Sequence, residues 1–127
     1  MEDAQRAELI ARYIKSYNSF DTQGMAELLS PCVCFENYSA GGLSHETRGI
    51  EEFVALADSS KALFAEREQR ITSLRFESTS VVAAIEFCGR LAADMPNGPP
   101  AGTALELSGT SQFFFEDGRI SRVIDRA

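Results

Sequence analysis

The chain has 127 residues, 44% of them hydrophobic, which is enough for one domain with one core and too little for two ordinary domains. Nineteen acidic residues against twelve scattered Lys and Arg give a formal charge of -7, so the basic stripe that nucleic acid requires is excluded. No apolar run reaches membrane-spanning length and the first residues are polar, so a single domain over residues 1–127, cytoplasmic and without a membrane partner, is expected.

Cys32, Cys34 and Cys88 are odd in number and contain no CxxC, and His45 is the only histidine. Neither a disulfide framework nor a metal site follows, and the cysteines read as core-filling residues. No Gly-rich phosphate loop follows a strand, so no cofactor is expected.

From Ala7 onward, Ile10, Tyr13, Ile14, Tyr17 and Phe20 recur at helical spacing and predict a long amphipathic first helix. Asp21 is placed to cap a shorter helix carrying Met25, Leu28 and Leu29, with Pro31 marking its end. Val33, Phe35 and Asn37 then alternate with Cys34, Glu36 and Tyr38 as a first strand, which stops at Ser39-Ala40-Gly41-Gly42. A short strand over Leu43 to Thr47 leads through Arg48-Gly49 into a third helix. There Ile50, Phe53, Val54, Ala57 and Phe64 share a face, and an end near Ala65 is predicted.

Arg70 to Glu77 and Val81 to Leu91 alternate around Ser78-Thr79-Ser80 as an antiparallel pair. On the second of these, Val81, Ala83, Ile85 and Phe87 form an apolar face. Val82, Ala84, Glu86, Cys88 and Arg90 form a mixed face that suits a pocket wall. A turn-rich stretch from Met95 to Gly102 precedes a long strand to Phe115 that bends near Gly109. Asp117-Gly118 then turns the chain into a closing strand that ends at Asp125. The order predicts an α+β fold with three helices covering one face of an antiparallel sheet.

Three stretches carry a family resemblance: Tyr17-Asn18-Ser19-Phe20-Asp21, Arg48-Gly49-Ile50-Glu51-Glu52-Phe53, and Phe115-Glu116-Asp117-Gly118-Arg119-Ile120. In order and spacing they resemble the nuclear transport factor 2-like superfamily, in its SnoaL-like branch, over almost the whole chain. The resemblance implies a curved sheet wrapped around helices into a cone with a pocket, as in the cystatin-like cone, and a dimer built on the outer sheet face. It spans cyclases, isomerases, dehydratases, epoxide hydrolases and non-catalytic binders, so function is not fixed by it.

By the same resemblance, Asp125 matches a catalytic acid on the last strand of the cyclases and epoxide hydrolases. Glu86 matches the second acid of the epoxide hydrolases, and Asn37 their water-positioning Asn. Where those hydrolases carry an Arg and a Tyr, this chain has Ala84 and Phe35, so epoxide hydrolysis is not assigned.

An acid near the end of an apolar strand is costly to bury unless it is paired or used. Two readings of Asp125 are open: proton transfer with Glu86 as its partner in one apolar cavity, or an ion pair with Arg90, Arg122 or Arg126. Tyr17 can offer a hydroxyl from the first helix, and Asn37 an amide, because Val33, Phe35 and Asn37 share a strand face. Arg90 is placed nearer the rim as a salt-bridge partner or an anion contact. His45 is either a base or a surface residue. The expected function is that of a small-molecule pocket protein for an apolar ligand, with acid/base catalysis and non-catalytic binding as alternatives. A homodimer through Val81, Ile85, Phe87 and Ile124 on the outer face is expected.

Overall fold

The computed structural model describes residues 1–127 and shows three helices on a six-stranded curved sheet. Helices α1 (Asp3–Asn18) and α2 (Thr22–Ala26) precede strands β1 (Leu29–Ser39) and β2 (Gly42–Arg48). Helix α3 (Ile50–Lys61) follows, and then β3 (Phe64–Phe76), β4 (Ser80–Leu91), β5 (Ala104–Glu116) and β6 (Arg119–Arg126) complete the chain. The strand order is β2-β1-β6-β5-β4-β3. All pairs are antiparallel except β1 with β6, whose junction is parallel.

The amphipathic periodicity of the first helix does what it predicts: Ile10, Tyr13 and Ile14 are buried against the sheet. Asp21 caps α2, its carboxylate accepting from Gly24 N at 2.9 Å. Asp117 and Gly118, with φ of 52° and 78°, make the tight β5–β6 turn, a left-handed pair in which glycine carries no steric cost.

Two boundaries differ from the sequence reading. Pro31 lies inside β1 instead of ending a helix, and α3 stops at Lys61. Phe64 opens β3 and packs edge-on against Phe87 at 5.6 Å across the strand pair, a contact that outweighs its place in the helical pattern. The cysteines do not fill the core: Cys32 and Cys88 are exposed and Cys34 is half-buried.

The register fixes which side chains face the helices. Phe35, Val123, Phe113 and Val81 stand side by side on four successive strands, and the last three are almost fully buried. With Ile10, Tyr13, Phe53 and Ile120 they belong to the core on the concave face. This overturns three of the four residues expected on an outer dimer face, while Ile124, next to Val123 on β6, does turn outward. Val81 and Ile85 are core residues at 0% and 7% exposure, and Phe87 shares their face. The helices need the purer apolar side of β4, so the mixed side is turned outward.

Gly109 on β5 pairs with Ile85, and a Cβ there would sit 2.2 Å from the Arg126 carbonyl oxygen. Backbone cannot give way as a flexible side chain can, so Gly109→Ala should lower stability by about 1–3 kcal/mol by displacing the end of β6. Urea unfolding of the variant checks this; an unchanged midpoint would contradict it.

Candidate functional site

One rung beyond the apolar row, the same face turns polar. His45, Asn37, Asp125 and Ser111 succeed one another across β2, β1, β6 and β5, and Ala83 continues the row on β4. The sequence pattern of β6 dictates this: Val123 is in the core, so Asp125, two residues on, projects to the same side. Asp125 accepts one hydrogen bond, from the Ser111 hydroxyl at 2.6 Å, and has no ion-pair partner. Arg122 is engaged with Glu36 at 2.9 Å, Arg126 with Gln112 at 3.1 Å and Arg90 with Glu66 at 3.5 Å, so the ion-pair reading fails for all three arginines.

Burial therefore acts on Asp125 with little to offset it. The carboxyl is pushed up from an ordinary 3.8 to about 6, burial raising it and the Ser111 hydrogen bond opposing. Tyr13 and Tyr17 on α1 share its surroundings. Burial raises the Tyr13 phenol well above its ordinary range, the negative charge of Asp125 adds to that, and Tyr17 is raised chiefly by burial. Both phenols hold their protons at neutral pH and can donate.

The sequence reading missed the third member of this group. Arg67 on β3 is 8% exposed, and its guanidinium lies 3.7 Å from the Tyr17 ring centroid and 4.6 Å from that of Phe20. Nε and Nη2 donate to the Tyr17 carbonyl oxygen at 3.2 and 3.0 Å, near the C-terminal end of α1. A cation there complements the helix dipole. No alternation marks Ala65-Glu66-Arg67-Glu68-Gln69-Arg70 as a strand, because polar residues occupy both of its faces. Its only signal is a basic residue two positions from Gln69 and four from Ile71 on a strand face, legible once the register is known.

The other expected site residues divide. Asn37 does share the Asp125 row, but its amide nitrogen donates to Ser44 Oγ at 2.7 Å and Ser39 Oγ at 3.2 Å. Phe35 packs edge-on against Phe53 at 5.8 Å as a part of the apolar row. His45 lies opposite Asn37 on the edge strand and is exposed.

Glu86 and Arg90 are misplaced by the sequence reading. Ala83 opposes Ser111, which opposes Asp125, so period two sends Glu86 and Arg90 to the convex face. There Glu86 pairs with Arg70, and Arg90 Nη1 donates to the Gly102 carbonyl at 3.0 Å. Glu86 cannot be the partner of Asp125.

A concavity of about 720 Å³ lies elsewhere, between the start of α1 and the β5–β6 turn, lined by Met1, Ala4, Glu8, Leu9, Phe115 and Asp117 among others. Six residues of β6 lie between Gly118 and Asp125, which are thus about 23 Å apart along an extended strand. The chemistry-bearing group and this groove are two different places.

A family model described as SnoaL-like polyketide cyclase matches residues 7–126. The chain belongs to the SnoaL-like polyketide cyclase family. Its fold is shared with a candidate polyketide cyclase from Xanthomonas campestris pv. campestris, at 19% identity and a TM-score of 0.83, covering 98% of this chain and 90% of that one. TsrD from Streptomyces laurentii is similar at 21% identity and a TM-score of 0.80, over 98% and 89% of the two chains. A nuclear transport factor 2-like protein of unknown function from Burkholderia pseudomallei is similar at 18% identity and a TM-score of 0.79, over 98% and 90%. No curated protein matches this SnoaL-like chain. At these identities the neighbours establish the fold and leave the chemistry to the residues of this chain.

Proposed function

We propose that the protein is a cofactor-independent acid/base enzyme that moves a proton at a carbon next to a carbonyl in a small, mostly apolar substrate. The observation that carries this reading is Asp125, a half-buried carboxyl with one hydroxyl donor and a pKa of about 6. Above that pH it is ionised and basic enough to take a carbon-bound proton; once protonated it returns the proton to the enolate at another carbon or to an oxygen. The Tyr13 and Tyr17 phenols, kept protonated by burial, are the donors for the oxygen on which negative charge develops. Membership of the cyclase family supports this reading, since ring closure of a polyketide also begins with a proton leaving such a carbon.

A non-catalytic binder of the same fold is the second reading, favoured by the groove's separation from Asp125. A screen of hydrophobic enones, epoxides and polyketide-like esters separates the two, with turnover read beside ligand-induced thermal shift. Turnover rising with pH through about 6 is the expected result. Stabilisation by several compounds with turnover of none would favour the binder.

The dimer proposal now rests on the convex face, where Phe114, Val82, Ala84 and Tyr38 are half-buried among ion pairs such as Arg70–Glu86. Light scattering at micromolar concentration decides it, a monomer removing it.

A further inference from the structure

Resting on the acid/base reading of Asp125, we propose that Arg67 binds a carboxylate at the far end of the substrate, making the protein selective for an elongated, mostly apolar carboxylic acid.

Arg67 and Arg6 are the two most buried arginines, and they are treated differently. Arg6 is paired with Asp3 and donates to the Glu77 and Ser80 carbonyls. Arg67 has no carboxylate partner, although the chain has nineteen acidic residues. A desolvated guanidinium is costly unless it is compensated, and here it meets one carbonyl at the end of α1 and the faces of Tyr17 and Phe20, none of which carries a full negative charge. Of its five N–H groups, Nε–H and one on Nη2 go to that oxygen, leaving a fork that matches a carboxylate.

Placement sets the length of the ligand. Arg67 opposes Gly89 on β4, while Asp125 stands in the row of Ala83, six residues away or about 20 Å of extended strand. Helix α1 bridges the gap: the Arg67 guanidinium lies 3.7 Å from the Tyr17 ring centroid, and Tyr13 is one turn away on the same helix. Tyr13 packs at 5.6 Å on Phe113, two residues along β5 from the Ser111 that pairs with Asp125. Tyr17, Phe20 and Gln69 around the guanidinium are only half-buried, so a ligand can approach it. At Gly89, opposite Arg67, a Cβ would meet Phe87, the Glu66 carbonyl oxygen and Phe64 at 3.0, 3.1 and 3.3 Å, so the strand is closed on that side and a ligand reaches Arg67 from the side of Tyr17 and Gln69. The two ends of the site are thus a cation under aromatic cover and a proton-transfer group, with phenols between.

The test is isothermal titration at pH 8 with anthraquinone-2-carboxylate and its methyl ester, on the parent, Arg67→Lys, Arg67→Met and Asp125→Asn. The parent should bind the acid at least ten-fold more tightly than the ester, and Asp125→Asn should keep that preference. Arg67→Met should lose it, and Arg67→Lys, with the charge but not the fork, should keep a fraction. Since Arg67 also caps α1, Arg67→Met could fail to fold; the parent's preference and its reduction in Arg67→Lys then decide. Equal binding of acid and ester to the parent, or a preference unchanged in either Arg67 variant, overturns the inference and leaves the proton-transfer reading standing. Binding of neither probe removes both.

Discussion

Asp125→Asn should lower turnover of any substrate found by a factor on the order of a hundred or more while leaving ligand affinity nearly unchanged, because the amide keeps the shape and removes the base. The same variant should gain stability at alkaline pH. A carboxyl whose folded-state pKa is raised to about 6 stabilises the fold fully below its unfolded value near 4, and that contribution is lost as pH rises through about 6. Two units correspond to about 2–3 kcal/mol, an upper figure because the half-buried group keeps some contact with water. Asn at 125 has no such loss, so parent and variant should unfold alike near pH 4 and diverge by pH 8. Glu86→Gln is the control. Its carboxylate is about half exposed on the convex face beside Arg70, so its loss should shift stability by less than about 1 kcal/mol and leave turnover intact. Turnover unaffected by Asp125→Asn, or lost in Glu86→Gln, would reverse the assignment.

Phe113→Ala should be the most destabilising single change on the concave face. The ring is fully buried and meets Tyr13 edge-on at 5.6 Å, and Val123 and Val81 flank it on the neighbouring strands. Truncation removes the ring's transfer free energy and leaves a cavity, about 3–5 kcal/mol together. For a chain of this size that is a fall in Tm on the order of 10–20 °C, a large share of total stability. Tyr13 would lose its packing partner on the concave face, so affinity for a ligand bound there should fall too. Phe114→Ala, one residue on and facing outward beneath Arg122, should cost about 1 kcal/mol or less. Similar losses from the two variants, read by calorimetry, would mean that the register is wrong.

These two residues show where the sequence was legible. Phe113 to Asp125 is a hairpin marked by its own turn chemistry, and alternation alone sends Phe113, Val123 and Asp125 to one side. Ile10, Tyr13 and Tyr17 were legible for the same reason, at the helical period. Strand β4 was not, since Val81-Val82-Ala83-Ala84-Ile85 is apolar or small on both faces. Its phase is set by Ser111 across the ladder, and a one-residue error moves Glu86 from the outside to the site. Arg67 was hidden more deeply. A buried cation in a charged run looks like a solvated surface until α1 is seen to end over it.

The claim on which everything else depends is that Asp125 is a carboxyl made weakly acidic by burial on the concave face. Carbon-13 NMR titration of the side-chain carboxyls, with Asp125→Asn used to assign the resonance, measures this directly. The expected titration midpoint is about 6. A midpoint at or below the ordinary carboxylate range, near 4, would contradict the account.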